Sequence, residues 1–365
     1  MTTPSPSRNG ADRCPGLLTP FVSADGAMVR LRLPGGRVDA TVLAEISSLA
    51  ARFGKPDITL TTRGSLQLRG LPDPLPRELV AAVGDLGLVP SGEHDTARNI
   101  VADPHAGLDD LVGALDAGLL ADPVLAGLPG RFLLAVAGPR GPVLGEPWDV
   151  AVVDEGGPAR VVAGGRSVVV ARDEAARVAL DVAGRFLAAR GDAGTWNIRD
   201  LPAGTRAGLL PGGAPFVVES AAPPAPGPVG EDLVALVPLG LLTPAMVRAL
   251  AGALRITPWR SLVVTGGATR ADALEAAGFV TGPGSPWTVL TACAGAPACA
   301  RTTTPTRDLA RAAAPLLDPT GPPVHVIGCE RACGHPAGGH ATSLDPTSAA
   351  DIVAAQHHPR DEKDA

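Results

Sequence analysis

The chain has 365 residues, which is longer than a single hydrophobic core usually grows, so two or three domains are expected. Its formal net charge of −6 argues against a partner held mainly through nucleic-acid phosphates. The longest uncharged run, residues 276–300, is interrupted by Gly and Pro, so no membrane-spanning helix is expected. The N-terminal residues lack an apolar export signal, which predicts a cytoplasmic protein with reduced cysteines.

Hydrophobic periodicity in the first ninety residues predicts a β-α-β-α unit. Residues 28–36 alternate apolar side chains with arginines before a Pro-Gly-Gly turn, which indicates a strand. Residues 38–54 have helical apolar spacing and stop at a glycine. Residues 58–71 alternate again and predict a second strand, and a second helix is predicted at residues 76–87.

The same order of elements returns in the second half of the chain. A strand is predicted at residues 233–240, a helix at 243–254, a strand at 255–267 and a helix at 271–279. Four residue pairs align without gaps: Thr61 with Thr257, Ser65 with Ser261, Leu66 with Leu262, and Gly70 with Gly266. This self-similarity predicts an internal duplication.

The residues between the two copies predict a separate α+β region. A helix is expected at residues 108–123 and another at 173–191, with short strands at 130–138, 148–155 and 166–172. A segment rich in Pro and Gly follows, which is typical of a linker.

Four of the five cysteines lie close together in the C-terminal part of the sequence. Cys293 and Cys299 form a C-x5-C pair, and Cys329 and Cys333 form a C-x3-C pair. Thiolates are soft ligands that select zinc, copper(I) or an iron–sulfur cluster. Structural zinc usually takes its sulfurs from tighter C-x2-C to C-x4-C spacings, so the wider pair favours a [4Fe–4S] cluster. Zinc, disulfides and unliganded thiols are the alternatives.

The fifth cysteine, Cys14, is remote from the other four in sequence. We expect it to be a small buried side chain without a function of its own.

Several segments together resemble the nitrite/sulfite reductase family. They are the duplicated unit, the sequences RLRLPGG, LTTRGSLQLRG and TARNIVADP, and the two cysteine pairs. The resemblance covers about residues 13–354. Within the family, the RCPGL and TPWRSL segments look most like the precorrin-3B synthases of aerobic cobalamin biosynthesis.

The resemblance implies an α+β fold in which duplicated ferredoxin-like half-domains and two nitrite/sulfite-reductase-type α+β domains have a pseudo-twofold arrangement. The expected domains are a half-domain at 14–90, an α+β domain at 91–202, a linker at 203–231, a second half-domain at 232–282 and a cluster domain at 283–354.

The resemblance also implies a set of site residues around a tetrapyrrole. Matching the family's motif makes Cys293, Cys299, Cys329 and Cys333 the cluster ligands, and Cys333 the residue that bridges the cluster to sirohaem iron in the reductases. The arginines expected to bind tetrapyrrole carboxylates or an oxyanion are Arg30, Arg32, Arg63, Arg98 and Arg131. No catalytic residue is assigned, and His105 and His335 are candidate iron ligands or proton donors.

One position separates the functions found in this family. The reductases carry a Lys-x-Lys pair on a strand, and the matching residues here are Arg131 and Leu133. Since a small anion needs positive charge and protons, Leu133 weakens the sulfite or nitrite interpretation. The resemblance therefore implies an iron–sulfur monooxygenase that converts precorrin-3A to precorrin-3B with O2.

Further partners follow from that activity. It implies an electron donor such as ferredoxin or a flavoprotein, and sirohaem or a mononuclear non-haem iron in addition to the [4Fe–4S] cluster. One alternative is a sirohaem-dependent sulfite or nitrite reductase. A second alternative is a non-catalytic tetrapyrrole-binding protein.

Overall fold

A computed structural model describes residues 12–105, 107–191 and 194–358. The chain separates into two compact units. Described residues within Met1–Phe21, Arg30–Arg37 and Ala82–Pro223 form unit 1, and those within Val22–Val29, Val38–Ala81 and Pro224–Ala365 form unit 2. The predicted division into five segments stays a prediction. Across the described ranges, no helix has the length and apolar character needed to cross a bilayer.

The first repeat contributes five strands and two helices. The strands are β1 (Phe21–Ser23), β2 (Gly26–Leu31), β3 (Arg37–Asp39), β4 (Ile58–Leu60) and β5 (Leu66–Leu71), and the helices are α1 (Ala40–Phe53) and α2 (Arg77–Asp85). Helix α1 begins where the Asp39 carboxylate accepts a hydrogen bond from the Thr41 backbone N–H at 2.9 Å, and it ends at Gly54. Leu43 and Ile46 on its inner face are fully buried, as the helical spacing predicts.

The predicted strand at residues 58–71 is wrong, because the segment is a hairpin. Strands β4 and β5 pair antiparallel, and the Thr61 N–H donates to the Ser65 carbonyl at 3.0 Å to close the turn. Gly64 in this turn has φ +61°, a conformation that suits glycine. Alternation of apolar residues continues through both strands, so the sequence pattern does not reveal the turn between them.

Unit 1 is built on a six-stranded mixed sheet. Its strands are β6 (Ile100–Ala102), β7 (Leu134–Ala137), β8 (Val150–Asp154), β9 (Pro158–Ala163), β10 (Arg166–Ala171) and β11 (Ala214–Pro215), in the order β11-β10-β9-β8-β7-β6. Strands β6, β7 and β8 are parallel, and the remaining neighbours are antiparallel. The helices of this region are α3 (Asp109–Ala121), α4 (Ala175–Ala189) and α5 (Ala203–Gly208).

The core of unit 1 lies between the sheet and helices α3 and α4. Leu115, Val136 and Val161 are fully buried there, and the rings of Phe132 and Phe186 are 4.9 Å apart. The predicted strand at 130–138 begins later than expected, at Leu134. Arg131 therefore lies in the turn that precedes β7 rather than on a strand.

The second repeat has the same architecture as the first. Its strands are β12 (Gly227–Val229), β13 (Asp232–Leu236), β14 (Leu241–Leu242), β15 (Ala253–Ile256) and β16 (Ser261–Val264), and its helices are α6 (Pro244–Arg248) and α7 (Ala271–Ala276). The predicted strand at 255–267 is also a hairpin, closed by the Thr257 N–H donating to the Ser261 carbonyl at 3.0 Å. The predicted helix at 243–254 ends at Arg248, since Gly252 takes φ +72° and β15 begins at the next residue.

The two ferredoxin-like halves exchange edge strands. Strand β3 follows a Pro-Gly-Gly turn and joins the sheet of the second half beside β15. Strand β14 follows the matching turn at Pro238–Gly240 and pairs antiparallel with β4, with Leu241 opposite Thr59. The Ala40 N–H extends the first contact by donating to the Gly252 carbonyl at 2.9 Å. The predicted duplication is therefore present as two halves that each complete the other's sheet.

The C-terminal part of unit 2 is a small sheet that the sequence pattern did not predict. Three parallel strands, β17 (Leu290–Ala292), β18 (Val324–Ile327) and β19 (Ala341–Leu344), lie against α8 (Thr306–Ala313) and α9 (Ala349–His357). Strands of three or four residues are too short to show a periodic pattern. Val326, Ala310 and Ile352 are fully buried in the core that they share.

A buried carboxylate joins three segments of unit 1. Asp149 accepts hydrogen bonds from the Leu133 N–H at 2.9 Å, the Asn197 side-chain amide at 2.9 Å and the Ile198 N–H at 2.7 Å. Burial raises the pKa of Asp149 to about 6, although these three donors act in the opposite direction. The carboxylate thus fixes the segment that carries Arg131 and Leu133 to the start of β8.

We expect Asp149→Asn to lower the free energy of unfolding by about 1–3 kcal/mol. The substituted amide nitrogen is a donor and faces N–H groups that need an acceptor. Urea denaturation measures the effect, and Asp173→Asn at an exposed position is the control, expected to change stability by less than about 0.5 kcal/mol. Equal stability of the two variants would contradict a structural role for Asp149.

Candidate metal centre

The two cysteine pairs start from the same edge of the small parallel sheet. Cys293 directly follows β17, and its N–H donates to the Val326 carbonyl of β18 at 2.9 Å. Cys329 lies two residues beyond the end of β18 at Ile327. Because the carboxyl ends of parallel strands meet at one edge, both loops leave the sheet side by side.

The first cysteine loop is folded back on the start of α8. The Cys299 N–H donates to the Gly295 carbonyl at 2.9 Å, and the Thr306 hydroxyl donates to the Cys293 carbonyl at 2.9 Å. Gly295 has φ +60°, and a Cβ there would stand 2.7 Å from the Thr306 nitrogen. Only glycine fits at this close approach, so the loop has a defined path between its two cysteines.

Each ferredoxin-like half donates one arginine to a cysteine loop. Arg69 on β5 donates to the Ala298 carbonyl, next to Cys299, at 2.9 Å. Arg260, in the β15–β16 turn, donates to the carbonyl of Gly334, next to Cys333. Arg260 has φ +55°, a backbone conformation that few non-glycine residues adopt. Both arginines are buried, so the loops are tied to the core of unit 2.

The two cysteine loops lie close enough for Cys293, Cys299 and Cys329 to affect Cys333 electrostatically. Burial around its sulfur raises the pKa of the Cys333 thiol, and Cys293, Cys329 and Cys299 raise it further, whereas Arg331 lowers it. All five cysteines are free thiols, so the disulfide alternative does not occur in this structure.

The four cysteines could serve as metal ligands, since all of them are free thiols on the two neighbouring loops. Within the described ranges, no three Cys, His, Asp or Glu side chains are grouped as a site for one metal ion. A single Zn²⁺ needs every sulfur at about 2.3 Å from one point, whereas in a cubane each thiolate binds a different iron. The cluster predicted from the sequence spacing stays a prediction.

A group of positive charges accompanies the first cysteine loop. The buried Asp25 carboxylate contacts Arg69 at 3.1 Å and Lys55 at 2.9 Å. Burial acts to raise the pKa of Asp25, but hydrogen bonds from Arg69 and Lys55 hold it below its usual value. Burial, together with Arg69 and Arg311, lowers the pKa of Arg307 to about 10. Sequence reasoning missed Arg307, although a basic residue in the first turn of α8 is unusual because the helix dipole disfavours it.

Four of the five predicted tetrapyrrole-binding arginines lie in unit 1, and two of them contact Cys14 or Pro15. Arg30 places a guanidinium nitrogen 3.2 Å from the Cys14 sulfur. Arg32 is 2% exposed and donates to the Asn99 side chain at 2.9 Å and the Pro15 carbonyl at 3.1 Å. Cys14 is half-buried rather than fully buried.

The other two arginines of unit 1, Arg98 and Arg131, differ in the contacts that they already make with the protein. Arg98 forms two hydrogen bonds with the Asp116 carboxylate, at 2.8 and 2.7 Å. The Arg131 side chain is 40% exposed, lies 3.7 Å from the Asp12 carboxylate and stacks 4.9 Å from the Trp196 ring centre. Arg131 therefore has more exposed side-chain surface to offer a ligand than Arg98, whose side chain is 8% exposed.

The fifth predicted arginine, Arg63, is half-buried in the β4–β5 turn of unit 2. The binding roles of all five arginines stay predictions.

The histidines named from the sequence are exposed. His105 lies near Asp103. Burial raises the pKa of the Asp103 carboxyl above its usual value, although hydrogen bonds from the backbone N–H groups of Val143 and Gly138 act in the opposite direction. His335 contacts the Pro336 carbonyl at 3.0 Å. A third histidine, His325 on β18, is fully buried against the Thr291 hydroxyl at 2.8 Å, and burial lowers its pKa to about 3. The roles predicted for His105 and His335 stay predictions.

Comparison with known proteins finds related sequences. The family model described as the nitrite/sulfite reductase ferredoxin-like half domain matches residues 22–82. A precorrin-3B synthase from Sinorhizobium sp is 38% identical over 78 residues, which is 21% of this chain and 17% of the relative. A ferredoxin–nitrite reductase from Synechococcus elongatus is 37% identical over 129 residues, covering 31% of this chain and 25% of the relative. The alignments thus span a quarter or less of these two curated relatives.

A solved structure shows that the similarity extends to the fold. The NirA protein of Mycobacterium tuberculosis superposes with a TM-score of 0.62, covering 85% of this chain and 69% of that one, at 19% sequence identity. The matched segment at 22–82 contains α1 and the β4–β5 hairpin of the first half. Residues 22–82 therefore match a nitrite/sulfite reductase ferredoxin-like half domain, and the chain has a NirA-like fold.

Proposed function

We propose that the protein is an iron–sulfur oxidoreductase that converts precorrin-3A to precorrin-3B with O2. The observation that carries the proposal is that two neighbouring loops hold four free cysteines with C-x5-C and C-x3-C spacing, in a chain whose Lys-x-Lys position holds Arg131 and Leu133. The similarity to a precorrin-3B synthase supports the choice of substrate.

In this proposal Cys293, Cys299, Cys329 and Cys333 hold the [4Fe–4S] cluster. The bound cluster would supply single electrons at low potential, received from a donor such as ferredoxin or a flavoprotein. Four thiolates leave the cubane no open position for O2, so the proposal includes a second iron centre, either sirohaem or a mononuclear non-haem iron.

The arginines supply the charge that a substrate with many carboxylates requires. Arg131 is the best placed, since its side chain is 40% exposed and its guanidinium carbon lies over the Trp196 ring. A planar guanidinium can pair with a carboxylate through two parallel hydrogen bonds. Leu133 is 1% exposed, so this position provides neither a positive charge nor a proton for a small oxyanion.

A sirohaem-dependent nitrite or sulfite reductase is the second candidate function. It is supported by the 129-residue similarity to a ferredoxin–nitrite reductase, which is longer than the similarity to the precorrin-3B synthase. The absence of lysine at both Lys-x-Lys positions counts against it.

Cys329→Ser is expected to abolish the brown colour of the purified protein and the EPR signal of its reduced form, because a cubane needs all four thiolates. Iron and sulfide quantitation after anaerobic purification measures the loss. Cys14→Ser is the matched control and should retain full cluster content. Unchanged iron in the Cys329→Ser variant would show that this residue is not a ligand.

Arg131→Ala is expected to weaken tetrapyrrole binding by about 1.5–3 kcal/mol, as for a lost hydrogen bond to a charged group. Binding is measured by absorbance titration with precorrin-3A, and the cluster spectrum should not change. Arg140→Ala, which removes an exposed arginine paired with Glu219, is the control and should bind normally. Equal affinities of the two variants for precorrin-3A would show that Arg131 does not bind the substrate.

Sulfite and nitrite reduction should be negligible with a strong artificial reductant, whereas precorrin-3A should be consumed together with O2 under the same reducing supply. Leu133 provides the physical reason, since no second donor is present for a small anion. Sulfide or ammonia production, without O2 uptake on precorrin-3A, would favour the second candidate function.

A further inference from the structure

Arg307 is a half-buried cation in unit 2 that follows the first cysteine loop in the sequence. It is the second residue of α8, directly after Thr306, whose hydroxyl bonds the Cys293 carbonyl and lies 3.6 Å from the Cys293 sulfur. The Arg307 Nε is buried and has no hydrogen-bond partner among the described residues. A buried donor without an acceptor normally costs stability.

The neighbouring charges increase that cost. Arg69 and Arg311 both act on Arg307 as like charges, while Asp25 and Cys293 act as opposite charges. Asp25 is already shared by Arg69 and Lys55, and Arg311 pairs with Asp308. The described carboxylates that act on these arginines are therefore already paired with other cations. Besides Asp25, the group that favours the charged form of Arg307 is Cys293.

A bound [4Fe–4S] cluster would balance this excess of positive charge. A cubane with four thiolate ligands has a net negative charge, and each added electron increases it. A nearby fixed cation therefore stabilises the reduced form more than the oxidised form. The first turn of α8 adds the positive end of a helix dipole at the same place.

We propose that Arg307 tunes electron transfer to the cluster beside Cys293. Its guanidinium balances the negative charge of the cluster and so raises the reduction potential of the cluster. This inference rests on the cluster of the proposed function and goes beyond it, because it names the residue that sets how readily the cluster accepts its electron. Arg69 has a structural role instead, since its guanidinium donates a hydrogen bond to the Ala298 carbonyl and pairs with the Asp25 carboxylate.

The test is a redox titration of the full-length holoprotein, followed by the EPR signal of the reduced cluster. Arg307→Gln keeps much of the side-chain volume and removes the charge. It should lower the equilibrium constant of the one-electron reduction about tenfold, which corresponds to a shift of about 59 mV to more negative potential. Arg307→Lys should keep most of the wild-type potential.

Arg311→Gln is the matched control, because it removes the same charge one turn further along α8 from a residue paired with Asp308. Its potential should equal that of the wild type. Equal potentials for the wild type and Arg307→Gln would overturn the proposal. A shift as large in Arg311→Gln would also overturn it, since the effect would then be general to the helix.

A variant that does not bind the cluster gives no reduction potential, so its iron and sulfide content is measured instead. If Arg307→Gln lacks the cluster and Arg307→Lys holds it, the charge is required and the proposal is supported. If both variants lack it, Arg307 has a packing role and the proposal fails. A wild-type protein without iron and sulfide would refute this inference and the cofactor of the proposed function together. A normal cluster without precorrin turnover would refute the proposed reaction alone.

Discussion

Two arginine side chains hold the cysteine loops to the core of unit 2, and the arrangement of the candidate metal centre depends on them. Arg69 bonds the carbonyl before Cys299, and Arg260 bonds the carbonyl after Cys333. Hydrogen bonds from charged groups contribute about 1.5–3 kcal/mol each, and more is lost if a buried guanidinium is left unpaired. The loops contain few large apolar side chains, so these bonds supply part of the order that packing gives an ordinary loop.

The exchange of edge strands explains how two arginines from different repeats act on one site. Because β3 completes the sheet of the second half and β14 completes that of the first, the two hairpins are part of one interlocked structure. Arg69 lies on the second strand of one hairpin, and Arg260 lies in the turn of the other. A displacement of either half would therefore move a cysteine loop.

Parts of this arrangement could be predicted from the sequence and parts could not. Helices α1, α3 and α4 match their predicted ranges to within two residues, since long amphipathic segments give a clear periodicity. The two hairpins were predicted as single strands because alternation continues on both sides of a short turn. Strands β17 to β19 were missed because they are only three or four residues long. The cysteine spacing predicts the cluster ligands, and this stays a prediction, whereas nothing in the pattern around Arg307 predicted that α8 would place it where Cys293 acts on its charge.

The proposed site stands on four cysteines holding one [4Fe–4S] cluster rather than a zinc ion. Mössbauer spectroscopy of wild-type protein produced with isotopically enriched iron and purified anaerobically tests this assignment most directly. We expect the spectrum of a single [4Fe–4S] cluster, in an amount equal to the protein. Protein that contains stoichiometric zinc and gives no iron–sulfur signal would contradict the assignment.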